Sequence, residues 1–247
     1  MKIIAIDSSG LVATVAIASD DTLTAEYTVN YKKTHSQTLL PMLDEIKKMT
    51  ELDLSEVDAI ATAAGPGSFT GLRIGSATAK GLGLALDKPI IEIPTTDALA
   101  MNMWGCPDII CPIMDARRDQ VYTGFYEFGE DDSLTVLRER FADDIRNVVA
   151  MLEKYNRRVT FLGDAVPVYR DIIDENMKAP HRYAPFNNNR QRAASLASLA
   201  MQYYREGKIV TAAEHKPDYL RPSQAEREMS GSRSGHDTAT STESMPV

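Results

Sequence analysis

The sequence predicts an α/β protein in which short apolar strands alternate with helices, and its opening unit has a partial repeat. The first observation is the apolar run Lys2–Asp7, which predicts a buried strand and precedes two further β-rich segments. The second is the pattern of His35–Met49, whose apolar residues recur at helical spacing. The third is a weak repeat, because strands ending in Asp7 and Asp115 are each followed by a polar turn and an alternating strand. At 247 residues, one α/β domain and two smaller ones both remain open.

The first half of the chain predicts a three-stranded meander followed by alternating helices and strands. LVATVAIAS and TLTAEYTV follow the first strand across the turn signal Ser19-Asp20-Asp21. Pro41 lies inside the His35–Met49 helix and should kink it or limit its first turn. The segments predicted next are a strand at 57–65, a helix within 63–86, a strand at 88–94 and a helix at 95–104.

The second half continues the pattern and ends in a polar tail. It predicts a hairpin turn at 129–133, a helix at 141–154, a strand at 157–165 and a helix at 192–208. Residues 229–247 are rich in Ser, Thr and Gly and have almost nothing to bury, so they predict a disordered tail.

Composition and charge exclude several classes of protein. The net charge of −8 argues against a surface that mainly binds nucleic acid, although a local basic patch is compatible with that total. Cys106 and Cys111 form no CxxC motif and have no paired histidines nearby, which argues against a disulfide framework or a zinc site. Too few apolar residues precede Asp7 for a signal peptide, and no apolar run is long enough to span a bilayer. We therefore predict a cytoplasmic protein.

The stretch AAGPGSFTGLRIGSATAKGLGLAL, residues 63–86, contains six of the fourteen glycines and resembles a phosphate-binding loop that runs into a helix. A Walker A loop needs GxxxxGK[ST], and no lysine follows Gly67 before Lys80. The dinucleotide fingerprint GxGxxG also fails, because Thr70 occupies its third glycine position. The amides at the start of the helix could still bind an anion, but close packing is the favoured reason for the glycines.

Small residues at four-residue spacing form one stripe of this helix, at Gly71, Gly75, Ala79 and Gly83. Each interior glycine costs about 1 kcal/mol relative to alanine, so the helix depends on packing for its stability. A smooth stripe lets another backbone approach closely. That backbone could belong to the chain's own sheet or to a partner subunit, and we favour the partner.

Three other polar groups are weaker candidates for a site. Asp7-Ser8-Ser9 could position magnesium or a phosphate, but an aspartate that closes a strand in a turn is equally compatible. His35 stands at a helix start without other ligands at metal-binding spacing, which favours a capping or interface role. The Asp115–Asp119 segment DARRD could hold an anion, although such clusters are usually paired and solvated. No combination of residues suits nucleophilic catalysis.

Several of these motifs together resemble the bacterial TsaB (YeaZ) family. The motifs are IAIDSS, HSQTLLPML, GPGSFTGLRIG and MDARRDQVY, with PDYLR near the end, and the likeness is strongest over the first 125 residues or so. The resemblance implies a two-domain actin-like/sugar-kinase/Hsp70 fold with duplicated mixed-sheet domains. It places the first domain at 1–105, the second at 106–222, with a last helix that can return to the first domain, and a tail at 223–247.

The resemblance also implies a function in tRNA modification without catalysis by this chain. In that family the protein pairs with a related catalytic subunit, TsaD, and the pair recruits an ATPase, TsaE. The complex transfers a threonylcarbamoyl group from threonylcarbamoyl-adenylate to the adenosine beside the anticodon of tRNAs that read codons starting with A. A metal is expected in the catalytic partner and ATP in the ATPase. We expect no catalytic residue, no metal and no cofactor here, with Asp7, Ser8 and Asp115 as weak cofactor-binding candidates.

Alignment with the catalytic relative tests this expectation within the sequence. The relative carries an HxxxH metal motif, and lining up KPIIEIPTTDALA with that region puts Thr95 and Leu99 at the two histidine positions. Leucine has no donor atom and a neutral threonine hydroxyl is a weak ligand, so the metal site is predicted to be absent.

Partner binding is assigned by the resemblance to two helices, His35–Met49 and a second one at residues 70–86, which form a four-helix bundle with the catalytic subunit. The same surface could make a homodimer when that partner is missing, and tRNA would be contacted mainly through the complex. The predicted interface residues are His35, Leu39, Met42, Leu43, Ile46, Gly71, Gly75, Ala79 and Gly83. Two alternatives stay open: a small kinase or ATPase of the same fold that uses Asp7 and Asp115 around magnesium-ATP, and, less favoured, a peptidase.

Overall fold

The computed structural model describes residues 1–31 and 34–220, and its first five strands form one mixed sheet. These strands are β1 (Lys2–Asp7), β2 (Ala13–Ser19), β3 (Thr22–Val29), β4 (Ala59–Gly65) and β5 (Ile90–Pro94), in the order β3-β2-β1-β4-β5. The first three strands form the predicted antiparallel meander, whereas β4 and β5 continue the sheet in parallel with β1.

A second five-stranded sheet repeats this topology. Its strands are β6 (Ile109–Asp115), β7 (Gln120–Phe128), β8 (Leu134–Asp144), β9 (Val159–Leu162) and β10 (His181–Tyr183), in the order β10-β9-β6-β7-β8. Again an antiparallel meander comes first and two parallel strands complete the sheet on the side of its first strand. The internal duplication is therefore confirmed, and Asp7 and Asp115 end equivalent strands.

Helices cover the sheets and complete their cores. They are α1 (His35–Met49), α2 (Phe69–Leu86), α3 (Thr95–Met101), α4 (Ile145–Glu153), α5 (Val166–Asn176) and α6 (Ala193–Arg205). The apolar side of α1 and part of α2 pack with one face of the first sheet, while α6 packs with the other face. Helices α4 and α5 cover one face of the second sheet, and α3 contacts strands of both sheets.

The predicted helix at 141–154 is shorter than expected. Residues 141–144 continue β8, and Asp144 is the N-cap of α4 because its side chain accepts a hydrogen bond from the Arg146 amide at 2.8 Å. The sequence also left α5 and β10 without a prediction.

Helix α1 continues through Pro41. Proline has no amide hydrogen to donate to the Gln37 carbonyl, but both residues are exposed, so water can solvate that carbonyl.

The last helix of the described chain, α6, returns to the first sheet. Although α6 follows the second sheet in sequence, it contacts β1, β2 and β5 of the first sheet. The division at residues 105 and 106 stays a prediction, and the predicted tail at 223–247 lies outside the described residues. None of the described helices has both the length and the apolar character needed to cross a membrane.

Candidate functional site

A cleft of about 930 Å³ lies between the two β-sheet units, at the ends of strands β1 and β6. The loop after β1 and the start of α2 form one wall, and the loop after β6 forms the other. Asp218 and Tyr219, near the end of the described chain, also line the cleft. Its charged lining includes Asp115 and Arg117, which belong to the predicted DARRD segment, and Asp164, which was not predicted.

Asp7 is buried behind this cleft rather than exposed in it. Its Oδ1 accepts hydrogen bonds from the amide and the hydroxyl of Ser9, at 2.8 and 2.6 Å, which makes a local turn after β1. Its Oδ2 has no hydrogen-bond partner among the described residues. Burial raises the pKa of Asp7 from 3.8 to about 6, although the two hydrogen bonds from Ser9 act in the opposite direction.

Replacement of Asp7 by asparagine tests this burial through its effect on stability. The folded chain holds the proton up to about pH 6, whereas the unfolded chain releases it near 3.8, so the free energy of unfolding falls as pH rises through that window. Asp7→Asn keeps an acceptor for Ser9 and removes the buried charge. We expect it to stabilise the chain at pH 7.5 by up to about 3 kcal/mol and to flatten the pH dependence. Urea unfolding between pH 4.5 and 7.5 measures the free energy of unfolding, with the exposed Asp21→Asn as the control. The prediction is wrong if the slope of this free energy against pH is the same for Asp7→Asn and the wild type.

The glycines at the start of α2 pack against the loop that follows β1. A Cβ on Gly71 would overlap the Ser8 carbonyl oxygen, and one on Gly67 would overlap that of Ser9. The Ser68 amide also donates to the Ser9 carbonyl at 2.7 Å. These glycines therefore serve close approach between two parts of the same chain, at a place where a phosphate-binding loop would keep its amides free for a ligand.

The rest of the small-residue stripe likewise faces the chain's own interior, which corrects the predicted interface. A Cβ on Gly75 would lie 2.6 Å from the Ser8 hydroxyl, Gly83 packs near Lys88 and Ala212, and Ala79 is fully buried in the core. The predicted interface assigned these residues to a partner. Their side of α2 is instead used by intramolecular packing and is not available to another protein.

The predicted interface residues of α1 are also buried, because the apolar side of an amphipathic helix packs on its own sheet. Leu39, Met42, Leu43 and Ile46 belong to the core between α1 and the first sheet. His35 is half-buried, and its Nε2 lies 3.0 Å from the carbonyl oxygen of Gly10. His35 thus connects the start of α1 to the loop after β1.

The loop after β6 has an unusual backbone. Arg117, Arg118 and Asp119 have φ of 67°, 55° and 58°, a left-handed conformation that is unfavourable for residues with a Cβ. Asp115 supports this turn, because its Oδ1 accepts a hydrogen bond from the Arg117 amide at 2.8 Å. The Asp115 amide in turn donates to Asp164, whose pKa is raised by burial. The predicted anion site is thus a turn with two aspartates and two arginines, in which Arg117 pairs with Asp115 at 3.4 Å.

The last described segment closes one side of the cleft and connects the two halves. The Asp218 amide donates to Ala64 at 2.7 Å, and the Asp218 carboxylate pairs with Arg140 of β8 at 2.8 Å. The Tyr219 ring packs on Phe69 of α2 with centroids 4.7 Å apart. Sequence reasoning assigned these residues no role, and the only signal for them was the PDYLR motif of the family resemblance.

The two positions that the family resemblance sets against the metal-binding histidines of the catalytic relative are core positions in this chain. Thr95 and Leu99 both lie in α3 and are almost completely buried. Within residues 1–31 and 34–220, no three His, Cys, Asp or Glu side chains come together in a group that could hold a metal ion.

Comparison with known proteins finds relatives that match most of the chain. A family model described as TsaD, tRNA N6-adenosine threonylcarbamoyltransferase, matches residues 22–229. The chain is 34% identical to the tRNA threonylcarbamoyladenosine biosynthesis protein TsaB of Bacillus subtilis (strain 168), over 92% of this chain and 96% of the relative. The chain belongs to the TsaB family.

Solved structures show the same relationship at the level of the fold. YeaZ from Pseudomonas aeruginosa is 26% identical and superimposes with a TM-score of 0.74, covering 89% of this TsaB-family chain and all of YeaZ. Component A of (R)-2-hydroxyglutaryl-CoA dehydratase from Acidaminococcus fermentans, at 11% identity, has a TM-score of 0.50 over 83% of this chain and 99% of its own and shares only the fold. The two sheets thus form the actin-like/sugar-kinase/Hsp70 fold that the TsaB resemblance implies.

Proposed function

We propose that this chain is a non-catalytic subunit of a tRNA threonylcarbamoyl-transfer complex. It would pair with a TsaD-like catalytic subunit, hold that subunit in a competent state and help to recruit a TsaE-like ATPase. The complex would transfer the threonylcarbamoyl group from threonylcarbamoyl-adenylate to the adenosine beside the anticodon. The observation that carries the proposal is the 34% identity to the tRNA threonylcarbamoyladenosine biosynthesis protein TsaB over 92% of the chain. The burial of Thr95 and Leu99, which the resemblance sets against the metal-binding histidines of the catalytic relative, supports the absence of catalysis by this chain.

The packing of the glycine-rich segment supports a role without nucleotide chemistry. Gly67 and Gly71 accommodate the carbonyls of Ser9 and Ser8, so a carbonyl oxygen stands where an anion would approach the helix start. The Gly71 amide donates to the side chain of Ser68 at 3.2 Å, which satisfies one of the free amides of the first turn. A nucleotide phosphate would have to compete with both interactions.

The partner surface in this proposal is the outer side of α1 and α2, opposite the buried stripe. On α2 the exposed positions Arg73, Ala77, Gly81 and Leu84 follow one another at helical spacing. Leu40 and Leu84, on the two helices, have 54% and 69% of their surface exposed. Small and apolar residues on two adjacent helices suit close packing by two helices of another subunit. This surface replaces the buried residues of the original prediction.

Reconstitution with the catalytic subunit and the ATPase of the same organism tests the proposal. We expect the chain to co-purify with the catalytic subunit, and threonylcarbamoyladenosine formation to depend on the chain. Titration of the isolated chain with ATP and magnesium tests the kinase alternative. That alternative predicts turnover of ATP, whereas we expect none. The proposal is wrong if modification proceeds equally well without the chain, or if the chain alone hydrolyses ATP.

A further inference from the structure

Two exposed aromatic side chains lie on neighbouring loops, one before β6 and one after β10. Trp104 follows α3 and is 63% exposed, and Phe186 follows β10 and is 94% exposed. Neither side chain lines the cleft or belongs to the outer side of α1 and α2. Large aromatic groups usually reduce their exposure to water by packing, so two that remain exposed on adjoining loops indicate a binding surface.

Reciprocal hydrogen bonds hold these loops together at one end. The Asn102 side-chain amide donates to the carbonyls of Asn188 and Arg190, at 3.0 and 2.7 Å. The Asn188 side-chain amide donates back to the Asn102 carbonyl at 3.1 Å. Trp104 and Phe186 each lie two residues from this pair of asparagines, so both aromatic side chains are carried by one connected structure.

The other end of the Trp104 loop is fixed next to an arginine of β10. The Arg182 guanidinium lies 3.4 Å from the Cys106 sulfur, two residues beyond Trp104. The segment that contains Phe186 therefore contacts the Trp104 loop both before and after Phe186. We call this surface, defined by Trp104, Phe186, Arg158 and Arg182, the aromatic–arginine patch.

The patch has an excess of positive charge within an acidic protein. Arg158 and Arg182 both pair with Asp108, at 2.6 and 2.8 Å, and Asp108 is only 3% exposed. Two guanidinium groups thus share one buried carboxylate while about half of each arginine side chain stays exposed to solvent. One positive charge is left without a balancing carboxylate in this group, and fixed guanidinium planes suit phosphate binding and stacking.

We propose that the aromatic–arginine patch binds an unpaired segment of RNA. Bases in single strands stack on exposed aromatic rings, and arginine contacts the phosphates beside them. The half-exposed guanidinium groups of Arg158 and Arg182 favour a polyanion such as RNA over an uncharged protein surface, because they share a single buried carboxylate. The inference deepens the proposed function, because it gives this subunit a direct contact with tRNA rather than one made only through its partners.

Binding of a labelled single-stranded RNA of about 12 nucleotides and of an unmodified tRNA tests the patch, with the full chain alone and in complex with the catalytic subunit. We expect Trp104→Ala and Phe186→Ala each to weaken binding at least about fivefold with an unchanged salt dependence. Arg182→Gln should instead lower the slope of log affinity against log salt by about 0.7, because one phosphate contact is lost. All three side chains are substantially exposed, and thermal unfolding checks that the variants remain folded.

Tyr27→Ala, at an exposed aromatic residue of β3 in the other half, is the matched control and should bind RNA like the wild type. The patch is refuted if the wild type does not bind the single strand at low salt, or if Trp104→Ala and Phe186→Ala bind it normally. Loss of affinity for the catalytic subunit with unchanged RNA affinity would assign the patch to a protein and also refute the inference. RNA binding at the patch without any dependence of tRNA modification on the chain would instead contradict only the proposed function.

Discussion

Ala77→Arg is expected to weaken binding of the catalytic subunit by at least about 100-fold, which corresponds to about 2.7 kcal/mol. Ala77 lies in the middle of the exposed side of α2, between Arg73 and Gly81. Helices that pack across such small residues leave no room for a guanidinium group, and a buried arginine without a carboxylate would also lose its hydration. Titration calorimetry or surface plasmon resonance measures the affinity, and threonylcarbamoyladenosine formation should fall in parallel.

A charged substitution on a different helix surface controls for general effects. Gln202 is exposed on α6, which packs on the opposite face of the first sheet, so Gln202→Arg should leave the affinity unchanged. Because Ala77 is exposed in the free chain, its replacement should not alter thermal stability. Full affinity of Ala77→Arg for the catalytic subunit would show that the outer side of α2 is not the interface.

Gly71→Ala is expected to lower the free energy of unfolding by about 3 kcal/mol, the upper end of the usual cost of overpacking. The added methyl group would overlap the Ser8 carbonyl oxygen, which is backbone and cannot move away as a side chain can. The start of α2 would therefore have to separate from the loop after β1. Urea denaturation monitored by circular dichroism measures the change.

Gly81→Ala is the matched variant in the same helix. Apart from the neighbouring backbone of the helix itself, nothing lies within 4 Å of the position that its Cβ would occupy, so the substitution should stabilise the chain by about 0.5 to 1 kcal/mol through helix propensity alone. Gly75→Ala should fall between the two, since its neighbour is the movable hydroxyl of Ser8. Equal effects of Gly71→Ala and Gly81→Ala would refute the packing explanation for the glycine-rich loop.

Much of the fold was accessible from local patterns. The opening meander, α1 and α2 were predicted because the spacing of apolar residues within a short stretch of chain distinguishes a strand from a helix. Strand β10 was missed because three residues, His181–Tyr183, are too few to show a period. The start of α4 was placed too early because residues 141–144 continue a strand whose pairing with β7 lies outside any local window. Asp164 and Asp218 were missed at the cleft for a related reason, since only long-range folding brings them there.

The amino-acid sequence by itself determined the order of most elements, the repeat marked by Asp7 and Asp115, and the absence of histidine at positions 95 and 99. The tertiary structure alone decided which side of α2 faces the chain's own sheet. Helical periodicity shows that one side of α2 carries Gly71, Gly75, Ala79 and Gly83. It does not show whether the backbone that packs against this side belongs to the same chain or to a partner. The choice between a neighbouring strand and a partner depends on contacts between residues more than sixty positions apart, such as that of Ser8 with Gly71.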